Sequence, residues 1–319
     1  MKLVTFRTDP GAPDRAGAAL GDGRILDFGE ADRRLEGASV LDMLREPALL
    51  DLAREAAARP GSAPAHALRH SGSVALLAPI PRPLSLRDGY AFRRHVETAR
   101  RNRGVPMIPE FDLFPVFYFS NHLAVIGPGE LRVGGGRLDR LDYELEVFCV
   151  IGRRVTNPTL QEADDAILGY GVMNDFSARR LQMDEMKMNL GPAKGKDFAT
   201  ALGPWLVTKD ELEDRLSPSP KGNVLHARMT ARLNGELLSD GDASEMDWTF
   251  AQVVQRAADG VVLEPGEVIG SGTVGTGCLL ELNGSGVAKE RWLVPGDTIS
   301  LSIDGLGTLT HTIVHDPSR

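Results

Sequence analysis

From residue 88 onward the sequence is cut into short apolar runs by turn residues, and no other feature limits its fold so strongly. The runs FPVFYF, LAVIG, ELEVFCVIG, ILGYGVMNDF, GPWLV, ARMTARLNGELL, EVIGSGTVGTG, LLELNG and TISLSIDG read as strands. Amphipathic helices are few, at TLQEADDAI, SARRLQMDEMK and TFAQVVQRAAD. Thirty-five glycines and twenty prolines in 319 residues supply the turns and argue against a helical bundle. Without a strand–helix–strand rhythm, the expectation is a β-rich α+β fold, a mixed and largely antiparallel β-sandwich or roll. The chain has no internal repeat and no low-complexity tract.

The first eighty residues differ and read as a small α/β unit. LVTF (3–6) and RILDF (24–28), with a GDG turn before the second, look like paired strands, and residues 39–45 and 49–59 have helical spacing. A Pro/Ser/Ala/Gly-rich stretch at 60–73 then leads to Pro79, Pro81 and Pro83, which forbid a helix and favour an extended crossing segment. The expected division is an N-terminal α/β domain over 1–80 and a catalytic domain over 81–319.

Thirty-six basic against forty-four acidic residues give a net charge of −8, with the basic residues dispersed apart from residues 93–103. Such a chain lacks the electrostatic footprint for nucleic acid or an anionic membrane surface. Cys149 and Cys278 each stand in an apolar run without CxxC spacing, so neither a disulfide framework nor a zinc knuckle is indicated, and a reducing cytoplasm fits. Asp9 and Pro10 interrupt the N-terminus before an apolar signal core could form, and no run approaches the ~18 residues of a spanning helix, so neither export nor membrane insertion is expected.

Chemistry concentrates in a few words. In DYELEVFCVIG, strand alternation puts Glu144 and Glu146 on the face of Phe148 and Val150. Two carboxylates entering an apolar face repel unless compensated, and a hard divalent cation is the economical solution; the alternative is an edge strand whose glutamates face water. YGVMNDFSARRLQ ends an apolar strand with Asp175, either a ligand or a helix N-cap, and puts Arg179 and Gln182 on one side of a short helix. RDGYAFRRH brings Asp88, Tyr90 and His95 together in a turn and helix, where an Asx-turn and a surface histidine are the plainer readings. Lys194 and Lys196 sit in a Gly-flanked loop, and Glu281 lies among leucines on an expected strand where it could simply alternate outward. GSGTVGTG matches GxGxxG at Gly270, Gly272 and Gly275, but it lacks GK[ST], opens onto a strand and has no βαβ unit around it, so nucleotide binding is rejected.

In this order the words RDGYAFRRH, FPVFYF, LDYELEVFCVIG, GYGVMNDFSARRLQ, LGPAKGKDFATALGPWLV, LEPGEVIGSGTVGTG and CLLELNG resemble the fumarylacetoacetate hydrolase family, across residues 87–284. The resemblance implies a β-rich fumarylacetoacetase-type catalytic domain, a homodimer, and one Mg²⁺, Ca²⁺ or Mn²⁺ held by Asp88, Glu144, Glu146 and Asp175. It makes His95 the general base and Glu281 its orienting carboxylate. Tyr90, Tyr118, Arg179, Gln182, Lys196 and Thr273 match positions that bind substrate or stabilise charge. The loop 183–195 departs from the eukaryotic members, being a residue longer and without their aromatic side chains, and is closer to the shorter bacterial branch.

These residues suit hydrolysis of a carbon–carbon bond between two carbonyls in a 1,3-diketone or acylpyruvate-type carboxylate. The metal would stabilise the departing enolate, and His95, oriented by Glu281, would take a proton from water. Lys196, Arg179 and Gln182 would hold the anionic substrate. Decarboxylation of a 2-oxo acid, hydration of a 2-keto-4-pentenoate and enol–keto isomerisation use the same metal site and remain as alternatives; a scaffold that has lost its chemistry would lack a ligand or the base, and none is missing.

Overall fold

The run ELEVFCVIG is apolar on both faces because it lies at the centre of the molecule, a computed structural model that describes residues 1–318. Every residue of the strand Leu145–Ile151 is buried. It pairs antiparallel with Ile167–Asp175 on one side and Val268–Gly270 on the other. Beyond Val268–Gly270 come Leu86–Gly89, running parallel to it, and Phe117–Ser120 at the sheet edge. In the other direction Thr200–Thr208 follows Ile167–Asp175. Lys2–Arg7, Arg15–Ala19, Arg24–Asp27 and Leu68–His70 then complete this side of a twelve-stranded mixed sheet.

The N-terminal strands therefore extend the main sheet and do not form one of their own. Alternation along Leu145–Ile151 divides the core: Leu145, Val147, Cys149 and Ile151 enter a core shared with a second, five-stranded sheet, among whose residues are Met229, Leu301 and Ile313. Phe148 and Val150 enter another core, which buries Val40, Met43, Leu50 and Ala53 of the helices Val40–Arg45 and Pro47–Ala58. The strand is thus clamped from both sides, which fixes its register and with it the placement of Glu144 and Glu146.

The expected helices form where local signals specify them. Leu160–Asp165 and Phe250–Ala257 open on capping boxes at Thr159 and Thr249, and Val40–Arg45 on one at Ser39. LLELNG is a correction. Residues Leu279–Gly284 form a short helix, not a strand, and Glu281 is buried on it. No helix among the described residues is long and apolar enough to cross a membrane.

Candidate active site

Two strands and the residue before one of them bring three carboxylates together. Asp88 lies on Leu86–Gly89, Glu146 on Leu145–Ile151 and Glu144 just before it; all are buried, and one oxygen from each lies within 4.8 Å of the others. The glycines of GSGTVGTG permit this approach. Gly270 stands opposite Asp88 in the register, and a Cβ there would lie 2.5 Å from Asp88 Oδ1. Gly272, at φ +77°, directs its N–H to both Asp88 and Glu146 at 3.2 Å, and the Thr273 hydroxyl donates to Glu146 at 3.3 Å.

Asp175 ends its strand outside this trio. It caps no helix, since the helix Arg179–Met186 has Ala178 at its N-cap position. Its carboxylate accepts from Lys196 Nζ at 2.6 Å and from Thr200 at 3.2 Å. The Tyr118 hydroxyl lies 2.5 Å from Asp175 and 3.0 Å from Asp88, linking it to the trio. Lys196 also donates to Glu144. Arg179 donates to Glu144 and Asp142, both at 2.8 Å, and to Gln182 Oε1 at 2.9 Å. The two cations expected to hold substrate are thus already paired with site carboxylates.

Electrostatics follow from that pairing. Burial acts to raise the Glu144 carboxyl, but Lys196 and Arg179 outweigh it and hold the group below its usual range. Asp88 and Glu146 have no such partner. Burial, and then the neighbouring charge of Asp175, push Asp88 up to about 7. Burial followed by Asp88 and Glu144 raises Glu146 well above its usual value. Of the five buried carboxylates Asp88, Asp142, Glu144, Glu146 and Asp175, the buried cations Arg179 and Lys196 pair with Asp142, Glu144 and Asp175 alone. This under-compensated, all-oxygen donor set at Asp88, Glu144 and Glu146 fits a hard divalent cation.

His95 lies buried on the helix Arg93–Asn102 with Nδ1 2.8 Å from Glu281 Oε2. The other Glu281 oxygen accepts the Thr276 N–H at 2.9 Å, and the Tyr90 ring meets the imidazole edge-on with centroids 5.9 Å apart. A proton on Nδ1 shared with Glu281 leaves Nε2 as an acceptor. Asp142, which the sequence reading passed over, sets this pair in place. It accepts the N–H groups of Leu279 and Leu280 at 2.7 and 3.0 Å, the start of the helix that carries Glu281. The available signal was parity, since Asp142 lies two residues before Glu144 as Glu144 lies two before Glu146.

These side chains share one cavity of about 670 Å³, lined by Asp88, Tyr90, His95, Tyr118, Glu144, Glu146, Arg179, Gln182, Lys196, Thr273 and Glu281. Of the residues that the family resemblance assigns to the site, Asp175 alone is not on its wall; Lys194 lies outside as well, exposed and paired with Asp197 at 2.7 Å.

A model of the fumarylacetoacetate (FAA) hydrolase C-terminal domain matches residues 85–314. Oxaloacetate tautomerase YisK of Bacillus subtilis (strain 168) is 30% identical over 243 residues, which are 75% of this chain and 73% of that protein. The structure of the fumarylacetoacetate hydrolase from psychrophilic Exiguobacterium antarcticum superposes with a TM-score of 0.73 at 25% identity, covering 99% of this chain and 100% of that one. Maleylpyruvate hydrolase from Sphingobium sp. SYK-6, solved with manganese(II) and pyruvate, shares the fold with a TM-score of 0.70 at 19% identity over 99% of both chains. With the family model spanning most of the sequence and agreeing with the β-rich architecture, this chain belongs to the fumarylacetoacetate hydrolase family.

Proposed function

We propose that the protein hydrolyses a carbon–carbon bond in a 1,3-diketone or acylpyruvate-type carboxylate. The observation that carries this reading is the His95–Glu281 pair, at 2.8 Å, in the same cavity as the Asp88, Glu144 and Glu146 trio. His95 Nε2 takes a proton from water, and the hydroxide oxygen adds to the acyl carbonyl. The bond from that carbon to the adjacent methylene breaks, its electron pair passes to the enolate of the departing 2-oxo acid, and the imidazolium returns the proton to the methylene carbon of that enolate. Glu281 holds the imidazole and stabilises its charged form, with water in the place a serine nucleophile occupies in a triad. A divalent cation at Asp88, Glu144 and Glu146, Mg²⁺ or Mn²⁺ or Ca²⁺, supplies Lewis-acid polarisation of the dicarbonyl when bound. Lys196, which Asp175 also holds, and Arg179 set the charge and position of Glu144, while Tyr90, Gln182 and Thr273 offer hydrogen bonds along the wall. A homodimer is proposed with this function, since Phe119 and Leu123 expose apolar surface on and beside the free edge strand.

Similarity to an oxaloacetate tautomerase favours a second reading, in which His95 moves a proton between carbon and the enol form of a 2-oxo acid without cleavage. Acylpyruvates, fumarylacetoacetate and oxaloacetate incubated with protein and Mg²⁺ separate the two. Release of a free carboxylic acid and a 2-oxo acid supports hydrolysis. Interconversion of oxaloacetate tautomers, with no acylpyruvate cleaved, selects the second reading. His95→Ala keeps the fold and cation affinity and loses roughly 10²–10⁴-fold in turnover, the usual contribution of a positioned base; near-normal turnover removes His95 from that role.

A further inference from the structure

Asp88, His95, Glu144, Glu146, Arg179, Lys196 and Glu281 are buried at the floor of the cavity, whereas Ile108, Val116, Met183, Met186, Leu280 and Trp292 on the same wall are half-buried or exposed, with Arg100, Arg103, Arg140 and Glu290 among them. The cavity therefore runs from a charged floor to an apolar mouth. We propose that this mouth takes an uncharged apolar arm, so that the substrate is a 2-oxo acid bearing a branched aliphatic or aromatic substituent. The inference rests on the reading of the floor as a 2-oxo acid site.

Three arginines at the mouth suggest the opposite, an arm ending in a carboxylate, but their contacts argue against it. Arg100 Nε donates to the Pro106 carbonyl at 2.5 Å and Arg103 Nε to the Ala99 carbonyl at 3.1 Å. The Arg140 guanidinium lies 5.8 Å from the centre of the Trp292 ring. Arg100 and Arg103 thus commit Nε to backbone, and Arg140 lies against an aromatic face. Met183 and Met186, three apart on the helix Arg179–Met186, present unbranched and adaptable side chains to the cavity. Just past this helix Met188 and Leu190 are 80% and 92% exposed, apolar surface that a bound arm can draw in. The base of their loop is tied by Glu185, which accepts the N–H groups of Ala193, Lys194 and Gly195 at 2.8–3.1 Å. The anchored helix and its apolar loop tip form one side of the arm site.

Calorimetric titration of the Mg²⁺-loaded protein with 2-oxo acids that cannot undergo the cleavage tests this directly. Pyruvate reports the floor, 4-methyl-2-oxopentanoate and phenylpyruvate add an apolar arm, and 2-oxoglutarate adds a carboxylate. The apolar arms should bind at least tenfold more tightly than pyruvate, given the area they bury, and 2-oxoglutarate no more tightly than pyruvate. The double variant M183S/M186S should lose most of that ratio, and phenylpyruvate should change the tryptophan emission of the wild type but not of W292F. Tightest binding by 2-oxoglutarate, or equal affinities for all four acids, overturns the apolar arm while leaving the floor assignment intact. Failure of pyruvate and every other acid to bind overturns the floor assignment, and the arm with it.

Discussion

Asparagine at position 142 isolates one charge on which the candidate site depends. The Asp142 carboxylate is fully buried and receives Arg179 Nε at 2.8 Å, Leu279 N–H at 2.7 Å and Leu280 N–H at 3.0 Å. An amide retains one acceptor oxygen and turns a donor toward groups that are themselves donors. Breaking a buried ion pair from one side costs about 3–5 kcal/mol, and an anion at a helix start adds about 0.3–1 kcal/mol. Arg179 keeps Glu144 at 2.8 Å, and burial already raises the Asp142 carboxyl despite Arg179, so the ionised form carries a desolvation cost that the amide avoids. Both effects place the expected loss near the lower bound, about 3 kcal/mol. Urea unfolding of D142N should show this as a lower midpoint with an unchanged slope, and amide exchange in residues 279–285 should accelerate as the Glu281 helix frays. Asp240→Asn, which removes an exposed partner of Arg228, should move the midpoint far less. A loss below about 1 kcal/mol with unchanged exchange in 279–285 would show that packing of Leu279 and Leu282 alone holds the helix, and would refute the assignment of Asp142.

Glu146→Gln should lower divalent-cation affinity by at least ~100-fold, whereas Asp175→Asn, acting through Lys196 and Tyr118, should cost roughly tenfold; equal losses by calorimetry would make Asp175 a direct ligand, as the family resemblance implies. Because Asp88 is pushed up to about 7 and Glu146 is raised as well, cation binding must displace protons from the site, so apparent affinity should fall as pH drops below about 7. Proton release measured in buffers of different ionisation enthalpy checks this, and pH-independent affinity between 5 and 8 contradicts it. Burial lowers the His311 imidazole from 6.5 to about 4, so the unfolded chain takes up a proton that the fold refuses. The resulting penalty is absent above pH 6.5, grows as pH falls and levels near pH 4 at about 3 kcal/mol. His311→Gln should flatten the dependence of unfolding free energy on pH over that window, and an unchanged slope would assign the acid sensitivity elsewhere.

The extent to which this architecture is legible in the sequence follows the range of the interactions involved. Strand alternation is a local property, and it brings Glu144 and Glu146 to one face in the structure as in the reading. The helices at Leu160–Asp165 and Phe250–Ala257 carry their capping boxes within four residues, and both are found where the spacing indicates. Leu279–Gly284 has no side-chain cap of its own; its N–H groups are satisfied by Asp142, 137 positions away, so no local pattern distinguishes it from a strand. The pairing of Lys2–Arg7 with Thr200–Thr208 is equally remote, which is why the N-terminal unit looks self-contained in sequence while extending the main sheet in space.

Arg179 and Lys196 carry the same lesson into the chemistry. The sequence offers both as clamps for an anionic substrate, and in the structure both line the cavity while paired with Asp142, Glu144 and Asp175. Their service to Glu144 leaves Asp88 and Glu146 buried without a cation of their own, an unfavourable arrangement that a fold tolerates only when something else holds the strands in register. Leu145–Ile151 meets that condition, because cores on both of its faces lock it independently of the charges at its end. The same separation explains how strain can persist at Asp88 and Glu146 for a cation to relieve, with the scaffold that presents them drawing its stability from elsewhere.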